Sequence, residues 1–342
     1  MSMHDPGSKS APVLITEDEG ALYDRQIRLW GLEAQQRMRN ATIAVFTLRG
    51  TATETIKNIV LAGIGKLLVV DDADVAEEDL GAGFFFRDED VGKKRVDVAR
   101  GRIESLNPLV TVQTEQRSLL STSDADLVTL LSGVDLVCLT DADRDTCIRV
   151  NKVCRERATP LYCGGTFGML GYIFCDLLSH EYIAPDRSAV NKDGPKTVKA
   201  TATYAPLDVA LKHSWSALSR RQTREINPAA VFTVQAIWEY QSLHQGVLPT
   251  KPGHADELEK VANDLVDRAS VNKQVLTSVP REQIDAAATT AAHEFSPVCA
   301  VVGGMLAQDI LKALGARETP LANFFVFDGA TGAGTVARLA MP

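Results

Sequence analysis

The chain has 342 residues, 45% of them hydrophobic, and a formal net charge of −8. That is apolar material for one large or two modest domains with a sizeable core. The negative balance argues against non-specific nucleic-acid binding, and no apolar run approaches the ~18 residues of a membrane span.

The opening, MSMHDPGSKSAPVLIT, has neither the basic start nor the long apolar core of a leader. It reads as a disordered tail ending near Thr16, with residues 17–342 forming the folded part. Residues 17–40 carry helix-like apolar spacing that Gly31 breaks into two short helices. The run Ile43 to Phe46 is a buried-strand signal, a helical pattern follows through Ile56, Ile59 and Val60, and a second strand, Leu67 to Val70, ends in Asp71 and Asp72. A strand–turn–helix–strand unit of about 30 residues with an acidic group about 20 residues past the turn is the layout of a dinucleotide-type fold. Such a turn needs several glycines, because phosphate oxygens must come close to the backbone. Here Thr47-Leu48-Arg49-Gly50-Thr51-Ala52 keeps only Gly50. The scaffold is kept and the pocket is abandoned.

Further along come a Gly- and Phe-rich loop (Gly81 to Phe86), a helix from Gly92 to Ser105 and a strand at Val110 to Val112. Val134 to Leu139 reads as a central parallel strand. A helix (Arg144 to Arg157) and strands at Leu161 to Cys163 and Tyr172 to Cys175 continue the alternation of a doubly wound α/β sheet. Composition turns polar from 179, and Ser188 to Tyr204 reads as a loop or a short insertion. Residues 179–255 are taken as a polar loop with a short helical insertion. Helices at Ala229 to His244 and Asp256 to Asp267, an apolar helix at Pro297 to Lys312 with a Gly303-Gly304 pair, and strands at Asn323 to Asp328 and Thr335 to Leu339 complete the pattern.

The cysteines, at 138, 147, 154, 163, 175 and 299, form no CxxC pair, which argues against a zinc site. Cys163, before Gly164-Gly165-Thr166, is the nearest to a nucleophile. Nothing local lowers its pKa, so it reads as a buried strand thiol, and Cys299 reads as core. Trp30 reads as a core or interface anchor, and Phe84-Phe85-Phe86 as core.

Tyr23-Asp24-Arg25-Gln26-Ile27-Arg28-Leu29-Trp30-Gly31, Lys57-Asn58, Leu61-Ala62-Gly63-Ile64-Gly65, Val91-Gly92, Leu106-Asn107-Pro108 and Pro297 to Lys312, in this order, resemble the ubiquitin-like-modifier activating enzymes. The resemblance runs from about residue 20 onward. It is closest to the smaller, non-catalytic subunits of the SUMO-activating branch. It implies a Rossmann-like doubly wound sheet of the ThiF/MoeB adenylation type. It also implies a heterodimer whose larger catalytic subunit binds ATP and magnesium, adenylates a SUMO-type modifier and holds it as a thioester. This chain would touch the modifier only indirectly, bind no cofactor or metal itself, and reside in the nucleus, with the cytoplasm as a second location; Lys93-Lys94 and Arg220-Arg221 are too short for a localisation signal.

Departures from the family pattern fit that role. An active member would have glycine at 47, 49, 50 and 52, where this chain has Thr47, Arg49, Gly50 and Ala52. The family's nucleotide-contacting arginine corresponds to Ala82, in Asp79-Leu80-Gly81-Ala82-Gly83-Phe84. Its lysine after Val-Gly corresponds to Arg95, and Asp141 matches its metal-binding aspartate only with spacing off by one. The arginine that crosses the family's dimer interface toward the partner's phosphates corresponds to Arg25. The competing reading pairs Arg25 with an acid such as Asp24 or Glu33 on its own helix. Asp71 and Asp72, without the glycines, read as capping or ion-pairing groups for Lys66 or Arg49. Three alternatives remain: the equivalent subunit for another modifier, which is typically longer; a homodimeric sulfur-carrier adenylating enzyme, which needs the glycine loop and arginine; and a nicotinamide dehydrogenase, which needs fingerprint glycines.

Overall fold

The computed structural model describes residues 12–185 and 197–342. In chain order the elements are α1 (Glu17–Leu22), α2 (Asp24–Trp30), α3 (Leu32–Arg39), β1 (Thr42–Phe46), α4 (Gly50–Leu61), β2 (Lys66–Val70), α5 (Arg95–Leu106), β3 (Thr111–Glu115), α6 (Asp124–Leu130), β4 (Leu136–Thr140), α7 (Arg144–Glu156), β5 (Leu161–Phe167) and β6 (Leu170–Asp176). They continue as β7 (Ser179–Pro185), β8 (Thr197–Thr203), α8 (Leu207–Ala210), α9 (Arg220–Glu225), α10 (Pro228–Leu243), α11 (Ala255–Arg268), α12 (Arg281–Thr290), α13 (Ser296–Gly315), β9 (Phe324–Asp328) and β10 (Ala333–Ala337).

One eight-stranded sheet runs β10-β9-β6-β5-β4-β1-β2-β3. From β3 to β5 the strands are parallel. From β5 to β10 they are antiparallel. The parallel half matches the doubly wound expectation; the antiparallel half arises because the Phe167–Leu170 turn is too short for a crossover helix. Each face has its own core. On one face Ile43, Val45, Ile56, Val60 and Leu67 pack with Val302, Leu306 and Ile310 of α13. On the other, Val150, Phe174, Phe232, Ile237, Trp238 and Leu258 pack together.

Several expectations change. Residues 1–11 lie outside the described residues, but the stretch up to Thr16 is not a free tail. Val13 N–H donates to Asn40 Oδ1 (2.8 Å) and Ile15 N–H to Gln36 Oε1 (2.9 Å), and Thr16 and Glu19 form a capping box on α1. The polar loop expected over Ser188 to Tyr204 contains a strand: β8 pairs with β7 in a separate antiparallel ribbon. With no residue of β8 fully buried, it lacks the one-sided pattern that marks a strand; residues 186–196 lie outside the described residues. Nor is α10 part of an insertion. It is buried on nearly every side, and Trp238 meets Tyr172 edge to face with ring centroids 4.8 Å apart. A helix apolar all round belongs in a core. Finally, α13 is 20 residues long with a mean hydropathy of 1.5, which by length and composition is enough to cross a membrane. It packs instead on α4 and β5. Its Asp309 accepts from Tyr162 Oη (2.7 Å) and Leu321 N–H (3.0 Å).

Candidate functional site

In an open α/β sheet the ligand crevice lies beyond the strand C-termini where strand order reverses. That point here lies between β1 and β4. It is built by the loop 47–50 after β1 and by Asp141 after β4.

The loop is closed on itself. Thr47 stands at φ +67°, a left-handed backbone that strains a β-branched residue. It is held there because Thr47 N–H donates to Val70 O (3.0 Å) and Thr140 Oγ1 donates to Thr47 O (2.7 Å). Leu48 N–H donates to Asp71 Oδ2 (2.6 Å). Asp71 also accepts from Ala73 N–H at 2.7 Å and lies 3.5 Å from Arg95. Arg95 in turn forks onto both oxygens of Asp79, at 2.9 and 3.0 Å. So Asp71 caps no helix; it accepts from two loop N–H groups and pairs with Arg95, not with Lys66 or Arg49.

Glu294 fills the mouth. Its Oε1 accepts from Gly50 N–H, the first residue of α4, at 3.0 Å. Its Oε2 lies 3.6 Å from Arg49 Nε, and the side chain is 5% exposed. Its backbone is fixed by a bridge to Gly168 at the β5–β6 turn, just ahead of α13. Gly50 is required for this contact. A Cβ there would come within 2.9 Å of Ala82 Cβ and 3.1 Å of both Cys299 Sγ and Glu294 Oε1. Ala52 is fully buried behind it.

Charge in the cluster is finely set. Burial raises the Glu294 pKa, and Arg49 and the Gly50 N–H oppose that rise. Burial and the neighbouring Glu294 push Asp141 up to about 7, against the pull of Arg49 and the Thr166 N–H. Asp141 Oδ1 accepts from Thr166 N–H (3.1 Å), while its buried Oδ2 has no hydrogen-bond partner among the described residues. Burial lowers the Arg49 pKa, but Glu294, Asp141 and Asp79 outweigh this and the net shift is upward. A nucleotide needs loop N–H groups and room above them. Here two of those N–H groups are bonded to carboxylates, and Glu294 would repel a polyphosphate. The residues present do not fit a nucleotide.

Arg25 takes no part in this cluster. Tyr23, just before it, is 2% exposed. Its ring fills the space above Gly63, where a Cβ would meet it at 2.5 Å, and its hydroxyl accepts from Asn107 Nδ2 at 2.8 Å. Three sequence motifs thereby lock α2 in place and turn Arg25 outward. Arg25 is exposed. Both acids proposed as its partners are taken: Asp24 by Arg28 at 3.0 Å and Glu33 by Arg317 at 2.6 Å. Trp30 is half-buried and donates to Gln35 Oε1 (2.9 Å). Phe85 and Phe86 are core, but Phe84 is 40% exposed under the Lys57 ammonium. All six cysteines are buried and free. Burial lifts Cys163 well above the ordinary thiol range and Cys299 to about 12.

The family model for ThiF matches residues 23–342. The chain belongs to the ThiF family. It is 33% identical over 345 residues to SUMO-activating enzyme subunit 1 of Rattus norvegicus, covering 95% of each chain. It is 32% identical to the Homo sapiens protein of that name, covering 95% of this chain and 96% of the relative. The crystal structure of selenomethionine PaaA shares the fold, with a TM-score of 0.60 at 16% identity over 96% of this chain and 85% of that one.

The ThiF loop residues singled out in the sequence, Thr47, Arg49, Gly50, Ala52 and Ala82, do converge, with Arg95 and Asp141 around them. Glu294 was missed. In the sequence it is one acid ahead of an apolar helix, indistinguishable from a capping residue. Its hydrogen-bond partner lies 244 positions away.

Proposed function

We propose that this chain is the regulatory subunit of a heterodimeric SUMO-activating enzyme. The larger subunit binds ATP and magnesium, adenylates the C-terminus of a SUMO-type modifier and receives it on its own cysteine. This chain supplies interface and Arg25, and binds no nucleotide. One contrast carries the reading: the chain's own pocket is filled by Glu294, whereas Arg25 is exposed with no ion-pair partner among the described residues. Adenylation builds negative charge on phosphate oxygens, which a guanidinium reaching across an interface stabilises. The relatives' name and near-equal length support the choice of modifier. A buried thiol set with no activated member supports placing the thioester on the partner. Residence in the nucleus, or also the cytoplasm, belongs to the same proposal, and fractionation of the tagged chain tests it.

The deciding experiment is modifier-dependent ATP–pyrophosphate exchange. This chain alone should be silent, and adding the larger SUMO-activating subunit should give strong exchange. Arg25→Ala should lower that exchange about 10²–10³-fold, as loss of one electrostatic stabiliser does. Exchange by this chain alone would contradict the closed pocket; an unchanged rate with Arg25→Ala would leave the subunit role and remove the trans arginine.

A further inference from the structure

We infer that the cleft between α7, α8, α10 and α11 binds the free C-terminal end of a peptide whose last residue is aliphatic. The cleft lies on the sheet face opposite α13 and shares no residue with the closed loop or with α2.

Its floor is Ile148 of α7, Leu211 just after α8, Leu265 of α11 and Gln235 of α10. Charged residues one helical turn from each of these form the rim: Arg144, Asp208, Arg268 and Glu239, with Lys212 beside Leu211. The volume of about 310 Å³ is at the small end of ligand sites. The walls are tied to one another. Leu207 N–H donates to Asn151 Oδ1 of α7 (2.8 Å), and Trp215 N–H donates to Ala269 O at the end of α11 (2.7 Å). A cleft fixed in this way loses little freedom when it is filled.

Gln235 decides the ligand. It is 6% exposed, and its amide makes no hydrogen bond among the described residues. A buried amide without a partner costs stability, and this one lines the cleft. It offers a donor and an acceptor together, which is what a peptide group offers in return. Lys212 and Arg268 are exposed with no ion-pair partner among the described residues; Arg268 makes only a 3.3 Å hydrogen bond to Asp264 O of its own helix. Arg144 is already held by Glu239. One carboxylate therefore falls to the two free cations, and the aliphatic floor takes a side chain. Asp208 has no ion-pair partner among the described residues either, so a second negative charge on the ligand would be repelled. An aliphatic side chain, a peptide group and a single carboxylate occur together at a chain end.

The probes are fluorescein-labelled peptides, read by anisotropy against the full chain: Gly-Gly-Gly-Leu with a free carboxyl, its C-terminal amide, and Gly-Gly-Gly-Gly with a free carboxyl. The free leucine end should bind with a Kd on the order of 10–100 µM. The amide and the glycine end should each bind at least about tenfold more weakly. Gln235→Leu should melt no lower than the wild type, since it removes an unpaired amide, yet bind about tenfold more weakly. Lys212→Ala combined with Arg268→Ala should do the same. No saturable binding to the wild type by about 1 mM overturns the inference, as does equal binding of the amide or an unchanged Kd with Gln235→Leu. The peptide series needs only the wild type, so it decides the matter even where a variant fails to fold.

Discussion

At the residue scale, Asp141 is where the closed pocket meets pH. Its ordinary pKa of 3.8 is raised to about 7, first by burial and then by Glu294. A carboxyl whose folded pKa is raised binds its proton more tightly in the native state. Its contribution is therefore fully present below about pH 4 and is lost as pH climbs through about 7. Glu294 shifts in the same direction and adds to the trend. Asp141→Asn keeps the acceptor for the Thr166 N–H but cannot titrate. Between pH 5 and pH 8 the wild type should lose roughly 1–3 kcal/mol relative to this variant. Urea unfolding at both pH values reads the difference directly, and parallel pH curves for the two proteins would show that Asp141 is ionised throughout. Little of this was legible in the sequence. That Arg49 and Ala82 stand where the family pattern has glycine and arginine can be read from two short motifs alone. That Asp141 holds its proton more tightly than a free carboxyl comes from burial first and then from Glu294, which the fold brings in from the far end of the chain.

At the element scale, long periodic or uniformly apolar segments were legible. β1, β2, β4, α7, α11 and α13 all fall where their apolar spacing puts them, because burying one face needs only local pattern. β8 and the role of α10 were not, since a two-sided polar strand has no buried face and an all-apolar helix does not say what surrounds it. The glycine pair of α13 was read as one feature, but its two members differ. A Cβ on Gly303 would lie 2.6 Å from Glu54 Cβ and 2.8 Å from the Thr51 carbonyl oxygen, whereas a Cβ on Gly304 meets nothing within 4 Å. Gly303→Ala must therefore push α13 off α4, at about 1–3 kcal/mol. Gly304→Ala should stabilise the helix by up to about 1 kcal/mol. Thermal melts of the two variants should move in opposite directions. If both lose stability, α13 is packed on both sides, and the close contact with α4 is not special to Gly303.

At the scale of the whole molecule, a domain with a filled pocket acts through its surface, and the N-terminal helices are the place to look. Leu22, Leu29 and Leu32 are 62%, 79% and 56% exposed on α1, α2 and α3, and α2 carries Arg25. An exposed leucine one helical turn from an arginine with no ion-pair partner among the described residues, with two more on the adjoining helices, suits an interface whose rim excludes water from that charge. Leu29 is the most exposed of the three, so a polar replacement there leaves the monomer's core untouched. Leu29→Glu should melt within about 1 °C of the wild type, yet bind the larger SUMO-activating subunit at least about tenfold more weakly, because it buries an uncompensated charge on association. Co-elution at low micromolar concentration separates the outcomes. Lost co-elution with an unchanged melt places the pairing surface beside Arg25, where a guanidinium can reach a second pocket. Unchanged co-elution moves the interface elsewhere, and Arg25 then has no route to a partner's phosphates, whatever its exposure.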